Sequence, residues 1–178
     1  MSDSAPGLRG FEFLCGEWIV QGRRRLEPGC DRWERFDAIQ RCWPLLNGLG
    51  NVDEIVREDD VAISASLRLF EPRGARWTVY KLRPRDGVAV SWVQGSFRNG
   101  MGEFFGEQQR EGGSVKVRER WLKAASATPV WDRAVSGDGG RTWELSSTME
   151  LARVHWPFES AAGRMAVPRP IRDMAVSF

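Results

Sequence analysis

Val61-Ala62-Ile63-Ser64-Ala65-Ser66-Leu67-Arg68-Leu69-Phe70, closed by Glu71 and the turn signal Pro72-Arg73-Gly74, is the stretch whose spacing decides the fold. Val61, Ile63, Ala65, Leu67 and Leu69 recur at every second position, which puts them on one face of an extended chain. Similar turn signals recur about every ten residues to either side: Pro28-Gly29, Asn47-Gly48, Asp59-Asp60, Asp86-Gly87, Asn99-Gly100, Gly112-Gly113 and Gly137-Asp138-Gly139-Gly140. Asn-Gly and Gly-Gly supply the positive φ angles that tight hairpins need. Residues 113–123 and 141–154 alternate in the same way, and residues 8–15 suit one short helical turn ahead of the first strand. The expectation is an all-β chain. It forms a single antiparallel meander β-barrel of about ten strands behind a short N-terminal helical turn, because a meander this long removes its edges by closing. The barrel is expected over residues 1–156, and Pro157, Pro168 and Pro170 leave 157–178 as a tail packed on its surface.

A chain of 178 residues suits one domain and can hide roughly 70% of its unfolded surface. Its 42% hydrophobic and 28% charged content is that of a globular protein, and the net charge of +2 argues against nucleic acid as a partner. The densest basic run, Arg23-Arg24-Arg25, reads as a solvated strand end. No apolar run approaches 18 residues, so no membrane helix is expected, and Met1 to Gly10 lacks the pattern of a signal peptide. Cys15, Cys30 and Cys42 are too widely spaced for a disulfide framework or a zinc site. A cytoplasmic location follows by default. Nine Trp beside nine Phe and one Tyr are the unusual part of the composition, and large rings suit half-buried pleated surfaces.

Gly16-Glu17-Trp18, just after the helical turn, resembles the Gly-x-Trp signature of calycins, the lipocalin and fatty-acid-binding superfamily. That resemblance implies structural roles for Gly16, Trp18 and Arg153: the Trp closes one barrel end and an Arg of the last strand packs over its ring. A closer likeness runs over residues 11–153. It is carried by Phe11-x-Phe13-Leu14-x-Gly16-x-Trp18, Gly48-Leu49-Gly50-Asn51-Val52-Asp53-Glu54, Leu67-Arg68-Leu69-Phe70-x-Pro72, Gly95-x-Phe97-x-x-Gly100-x-Gly102-x-Phe104-x-Gly106 and Trp131-x-x-x-x-Ser136-x-Asp138-Gly139-Gly140-x-Thr142-Trp143-Glu144. These motifs resemble an uncharacterised family of bacterial calycin-like proteins, which implies the barrel and no particular activity. The chain departs from that pattern at Lys81, where an aromatic is usual, and at Glu119, where an apolar residue is usual.

Several motifs reduce to structure. Ser136-x-Asp138-x-Gly140-x-Thr142-Trp143 matches an Asp-box turn but occurs once, so Asp138 is read as the organiser of one hairpin. Gly100-x-Gly102-x-x-x-Gly106 has the wrong spacing for a dinucleotide site and reads as a hairpin and barrel corner. Cys15 and Cys42 lie among apolar neighbours and read as core. His155 is the one histidine, which excludes a histidine-rich metal site. Some small calycin-like barrels bind haem through a late-strand histidine, but the favoured reading of His155 is an exposed strand end, and no cofactor or metal is expected.

Two places carry the candidate chemistry. Alternation puts Asn51, Asp53 and Ile55 on one face of their strand and Val52, Glu54 and Val56 on the other, so either face meets a conflict between charge and burial. Val115, Val117, Glu119 and Trp121 share one face of the strand over 113–123, and a turn centred on Ser126 pairs Trp121 with Trp131, Glu119 with Arg133 and Val117 with Val135. Carrying this back through Gly112-Gly113 places Gly106 beside Glu119 and Phe104 beside Trp121, while carrying it on through Asn99-Gly100 turns Trp92 outward. The face is apolar and is taken as the interior, where a carboxylate must be paired. The expected function is binding of a small, largely hydrophobic, aromatic molecule inside the barrel, lined by Asn51, Asp53, Arg68, Phe104, Trp121 and Trp131. The alternative is an enzyme on the same barrel, a cyclase, isomerase or dehydratase with Glu119 as acid or base and Arg133 tuning it. A third reading is an interaction protein whose interior is filled by its own Trp rings. No membrane partner is expected, and a homodimer stays open.

Overall fold

The computed structural model describes residues 7–57, 59–82, 89–110 and 113–154, with backbone alone at 89 and 90. His155, the tail over 157–178 and the Asp86-Gly87 signal lie outside the described residues. A 3-10 turn, η1 (Leu8–Leu14), precedes β1 (Gly16–Arg25), β2 (Trp33–Leu45), β3 (Gly50–Val56), β4 (Ala62–Glu71), β5 (Arg76–Leu82), β6 (Ala89–Arg98), β7 (Met101–Arg110), β8 (Gly113–Leu122), β9 (Val130–Ser136) and β10 (Glu144–Arg153). A second short turn, η2 (Leu46–Gly48), joins β2 to β3. Each strand pairs antiparallel with its chain neighbours, and β1 pairs with β10, so the ten strands close into one barrel without an open edge. Asn99 and Gly100, with φ of 52° and 76°, make the two-residue turn between β6 and β7 that Asn-Gly favours.

η1 seals one end. Phe11 and Leu14 are fully buried, and the Phe11 ring meets Trp77 at 5.1 Å, Phe97 at 4.8 Å, Phe104 at 5.2 Å and Trp121 at 6.4 Å. Three of these four contacts are edge-to-face, the geometry that adds about 0.5–1.5 kcal/mol per pair beyond area burial. Gly10 has to be glycine here, since a Cβ would lie 2.3 Å from the Phe97 ring. Trp18 donates its indole N–H to Leu14 O at 2.8 Å, and the Arg153 guanidinium lies 4.1 Å over the Trp18 ring while donating to Cys15 O and Phe13 O. Gly16 sits at φ 118°, a conformation that residues with a Cβ rarely adopt, which favours glycine at the head of Gly-x-Trp.

One strand face is settled here and one register is corrected. From Ala65 to Leu69 the apolar face of β4 is the outer one: Ser66, Arg68 and Phe70 are buried, whereas Leu67 is half-buried on the outside in a cross-strand row with Val52 and Tyr80. That row covers its own apolar surface, and the inward face is left to Arg68 and Phe70, whose partners Asn51, Asp53 and Trp77 stand on the neighbouring strands. The β7–β8 register differs by two residues from expectation. Arg110 pairs with Gly113, which places Phe104, not Gly106, beside Glu119, and Gly102 beside Trp121. Gly113 is therefore paired in β8 and is not a turn residue. A slip of two preserves every facing, because side chains alternate with period two. Glu119 accordingly still points inward, and Trp92 outward with 51% exposure.

Candidate functional site

The barrel interior above the aromatic floor is ionic. Asp53 on β3 and Arg68 on β4 are both buried, and Arg68 Nη2 donates to Asp53 Oδ2 at 2.6 Å. Gln40 Nε2 from β2 donates to the same oxygen at 2.6 Å. Asn51 bridges this cluster to the floor: its Oδ1 accepts from Arg68 Nη1 at 3.1 Å and its Nδ2 donates to Phe11 O at 3.3 Å. The Arg68 guanidinium also lies 5.1 Å over the Phe11 ring. Gln40 Oε1, Asp53 Oδ1 and Arg68 Nε are buried with no hydrogen-bond partner. Leaving such atoms unpaired costs about 1–3 kcal/mol each, so this layer is held in place by the fold around it. Cys42, buried beside the same cluster, has its thiol pushed up by desolvation, which keeps it protonated.

A second cluster is built on β5, β8 and β9. The β8–β9 ladder pairs Trp121 with Trp131, Glu119 with Arg133 and Val117 with Val135, the register that a turn centred on Ser126 implies. Glu119 is 3% exposed and takes three partners: Lys81 Nζ at 3.2 Å, Trp131 Nε1 at 3.3 Å and Arg133 Nη1 at 3.4 Å. Lys81 Nζ also stands 4.0 Å over the Trp131 ring, and Arg133 Nη2 donates to Gln108 Oε1 at 2.9 Å. Desolvation lowers the Lys81 pKa below the ordinary 10.5, with Glu119 pulling the other way and Arg133 and Arg68 adding to the decrease. The two positions at which the sequence departs from its family resemblance, Lys81 and Glu119, are therefore in direct contact.

The interior brings together the candidates Asn51, Asp53 and Arg68 in one cluster and Glu119, Trp131 and Arg133 in the other. Phe104 and Trp121 belong to the packed floor around Phe11. Gln40, Lys81 and Gln108 complete the clusters and are not among the residues selected from sequence. Period-two alternation with Cys42 and Ala38 was the available signal for Gln40. For Lys81 it was alternation with Trp77 and Val79. The side chain of Lys81 keeps 18% of its surface in contact with solvent, and the inward-facing Gln108 and Val115 are half-buried, so the end of the barrel away from η1 is open to water. Among the described residues no three His, Cys, Asp or Glu side chains converge to hold a metal, and no helix is long and apolar enough to cross a membrane.

No protein-family model and no curated protein matches the chain. Among solved structures, the barrel is similar to the crystal structure of Rv2717c from M. tuberculosis, with a TM-score of 0.52 at 13% identity, covering 86% of this chain and 100% of that one. At this identity the likeness shows the fold alone: an antiparallel ten-strand barrel.

Proposed function

We propose that this calycin-like barrel binds a small, largely apolar, aromatic molecule in its interior, anchored by one hydrogen-bonding group at Lys81, Glu119 and Arg133. The observation that carries this reading is the Lys81–Glu119–Trp131 contact set, an ion pair beside an indole ring that solvent still reaches. A cluster sealed from water would be a structural pair. One in contact with water can exchange that water for a ligand group. Barrels of about this strand number can hold one small ligand, and such pockets are mostly apolar with a few orienting polar groups. A bare hydrocarbon would strip water from Lys81 and Glu119 without replacing it, at a cost of about 2 kcal/mol or more, so the ligand carries a polar group of its own. Entry is by the end away from η1, where Arg25, Arg110, Val135 and Ser146 line a cleft of about 100 Å3. The pairing of Glu119 with Lys81 and Arg133 favours an anchoring role over acid–base work.

Titration with neutral aromatic alcohols such as 2-naphthol, followed by tryptophan fluorescence, tests this. The expected result is a saturable change in the parent and about tenfold weaker binding in Lys81→Met or Glu119→Gln. The absence of a saturable change removes interior binding, and a Glu119→Gln variant that binds like the parent removes Glu119 as the anchor.

A further inference from the structure

We propose that the outer wall of the barrel carries a second, separate binding site, for a planar aromatic anion. A groove of about 430 Å3 runs between β7, β8 and the β9–β10 turn, within the range of about 300–1,000 Å3 usual for small-molecule sites. Alternation sends Lys116 and Arg118 outward from β8 while Val117 and Glu119 face in, so the barrel wall separates this groove from the interior clusters. Two aromatic side chains line the groove: Phe105, 47% exposed, and Trp143, with ring centroids 6.0 Å apart and planes inclined by 59°. Rings set at that angle leave a wedge that a third flat ring fills with offset and edge contacts. A Cβ at Gly139 would meet nothing within 4 Å, so this side of the groove is open.

The turn that presents Trp143 is held firmly. Asp138 accepts from the Ser136 and Thr142 hydroxyls at 2.7 Å each and from the backbone N–H groups of Arg141 and Thr142 at 2.9 and 3.0 Å. The motif that reads from sequence as a hairpin organiser thus also fixes an aromatic platform in place before any ligand arrives, which reduces the entropy lost on binding.

Charge then selects the ligand. The Arg118 guanidinium lies 4.8 Å over the Trp143 ring, and its Nε is buried with no acceptor. Among the described residues neither Lys116 nor Arg118 has an acid within ion-pair distance. Glu107 stands opposite Lys116 in the ladder, but its Oε2 accepts from Ser114 Oγ at 3.5 Å. The groove therefore pairs flat apolar area with Lys116 and Glu107 in its lining, and Arg118, stacked on Trp143 beside it, leaves the local charge positive. A neutral ring would leave those cations unpaired, and a non-aromatic anion would leave the wedge unfilled. A ring bearing a carboxylate or sulfonate satisfies both.

Calorimetric titration of the whole chain with 2-naphthalenesulfonate, and with 2-naphthylmethanol as its neutral counterpart, tests the site. In Lys81→Met, where the interior anchor is removed, the sulfonate is expected to bind saturably, about tenfold or more tightly than the alcohol, and less tightly as salt is added. Lys116→Gln combined with Arg118→Gln is expected to lower sulfonate affinity about tenfold with the denaturation midpoint unchanged. Should that double variant be unstable, Lys116→Glu alone repeats the test by reversing one charge on an exposed side chain. Trp143→Leu is expected to abolish binding. The proposal is overturned if the sulfonate does not bind, or if binding survives the charge variants. Loss of sulfonate binding in Lys81→Met with the charge variants unaffected would place the anion inside the barrel instead.

Discussion

The two halves of the barrel interior solve the problem of filling space in opposite ways. Around η1 the interior is closed with rings, and their polar atoms are satisfied: Trp18 Nε1 by Leu14 O and Trp77 Nε1 by Gly7 O. Above that floor the interior is filled with Gln40, Asp53, Arg68, Lys81, Glu119 and Arg133, and three of its buried polar atoms, on Gln40, Asp53 and Arg68, have no partner. Burying a large apolar side chain contributes about 1.5–3 kcal/mol, whereas a buried ion pair is often no better than apolar residues of the same volume. The stability of the fold is thus concentrated at the closed end. The ionic half is retained at some cost to stability, which is where a function is expected to lie.

Four measurements break or sharpen that contrast. The largest effect is expected for Phe11→Ala, which empties the centre of the aromatic floor and should destabilise the chain by about 3–5 kcal/mol in urea denaturation. A small change would mean that η1 does not carry the closed end. Asp53→Asn leaves Arg68 buried without its counter-charge and should cost about 3 kcal/mol, while the double change Asp53→Leu with Arg68→Met should return stability close to that of the parent. If the double variant is as unstable as the single one, the ionic layer is itself a stabilising element and the contrast fails. Arg153→Ala loses both the stack on Trp18 and the two carbonyl contacts at the closed end, and is expected to cost about 1–3 kcal/mol. An unchanged midpoint would count against its role there.

The smallest effect belongs to Asp138, which lies outside both regions and serves as a reference. Hydrogen bonds from the Thr142 backbone and hydroxyl, then from Ser136, hold its carboxyl below the usual carboxylate range. A folded-state value depressed below the unfolded one contributes stability that is present above the unfolded pKa and lost as pH falls through the folded one. Asp138→Asn should therefore be less stable than the parent near neutral pH, and the difference should shrink as pH drops below about 4. A difference that is constant with pH would show that shape, and not charge, is what Asp138 supplies.

Local patterns made much of this legible. The turn spacing and the period-two runs identify ten antiparallel strands in meander order, because a hairpin turn and the strands beside it are specified by neighbouring residues. The β8–β9 register was legible for the same reason: three cross-strand pairs, Trp121–Trp131, Glu119–Arg133 and Val117–Val135, agree only for a turn centred on Ser126. The β7–β8 register was not, because a slip of two residues leaves the inward set unchanged and so leaves no trace in the pattern.

What sequence alone determined is therefore what neighbouring residues specify: fold class, meander strand order, the β8–β9 register and the inward facing of Glu119. What only the tertiary structure decided is which face of β4 turns inward, and that Lys81 of β5 meets Glu119 of β8. Alternation reports that a strand has two faces but not which one closes over the interior. On β4 the inward face is the one whose Arg68 reaches Asp53 on the neighbouring strand, while Lys81 and Glu119, three strands apart, come within hydrogen-bonding distance only once the barrel has closed.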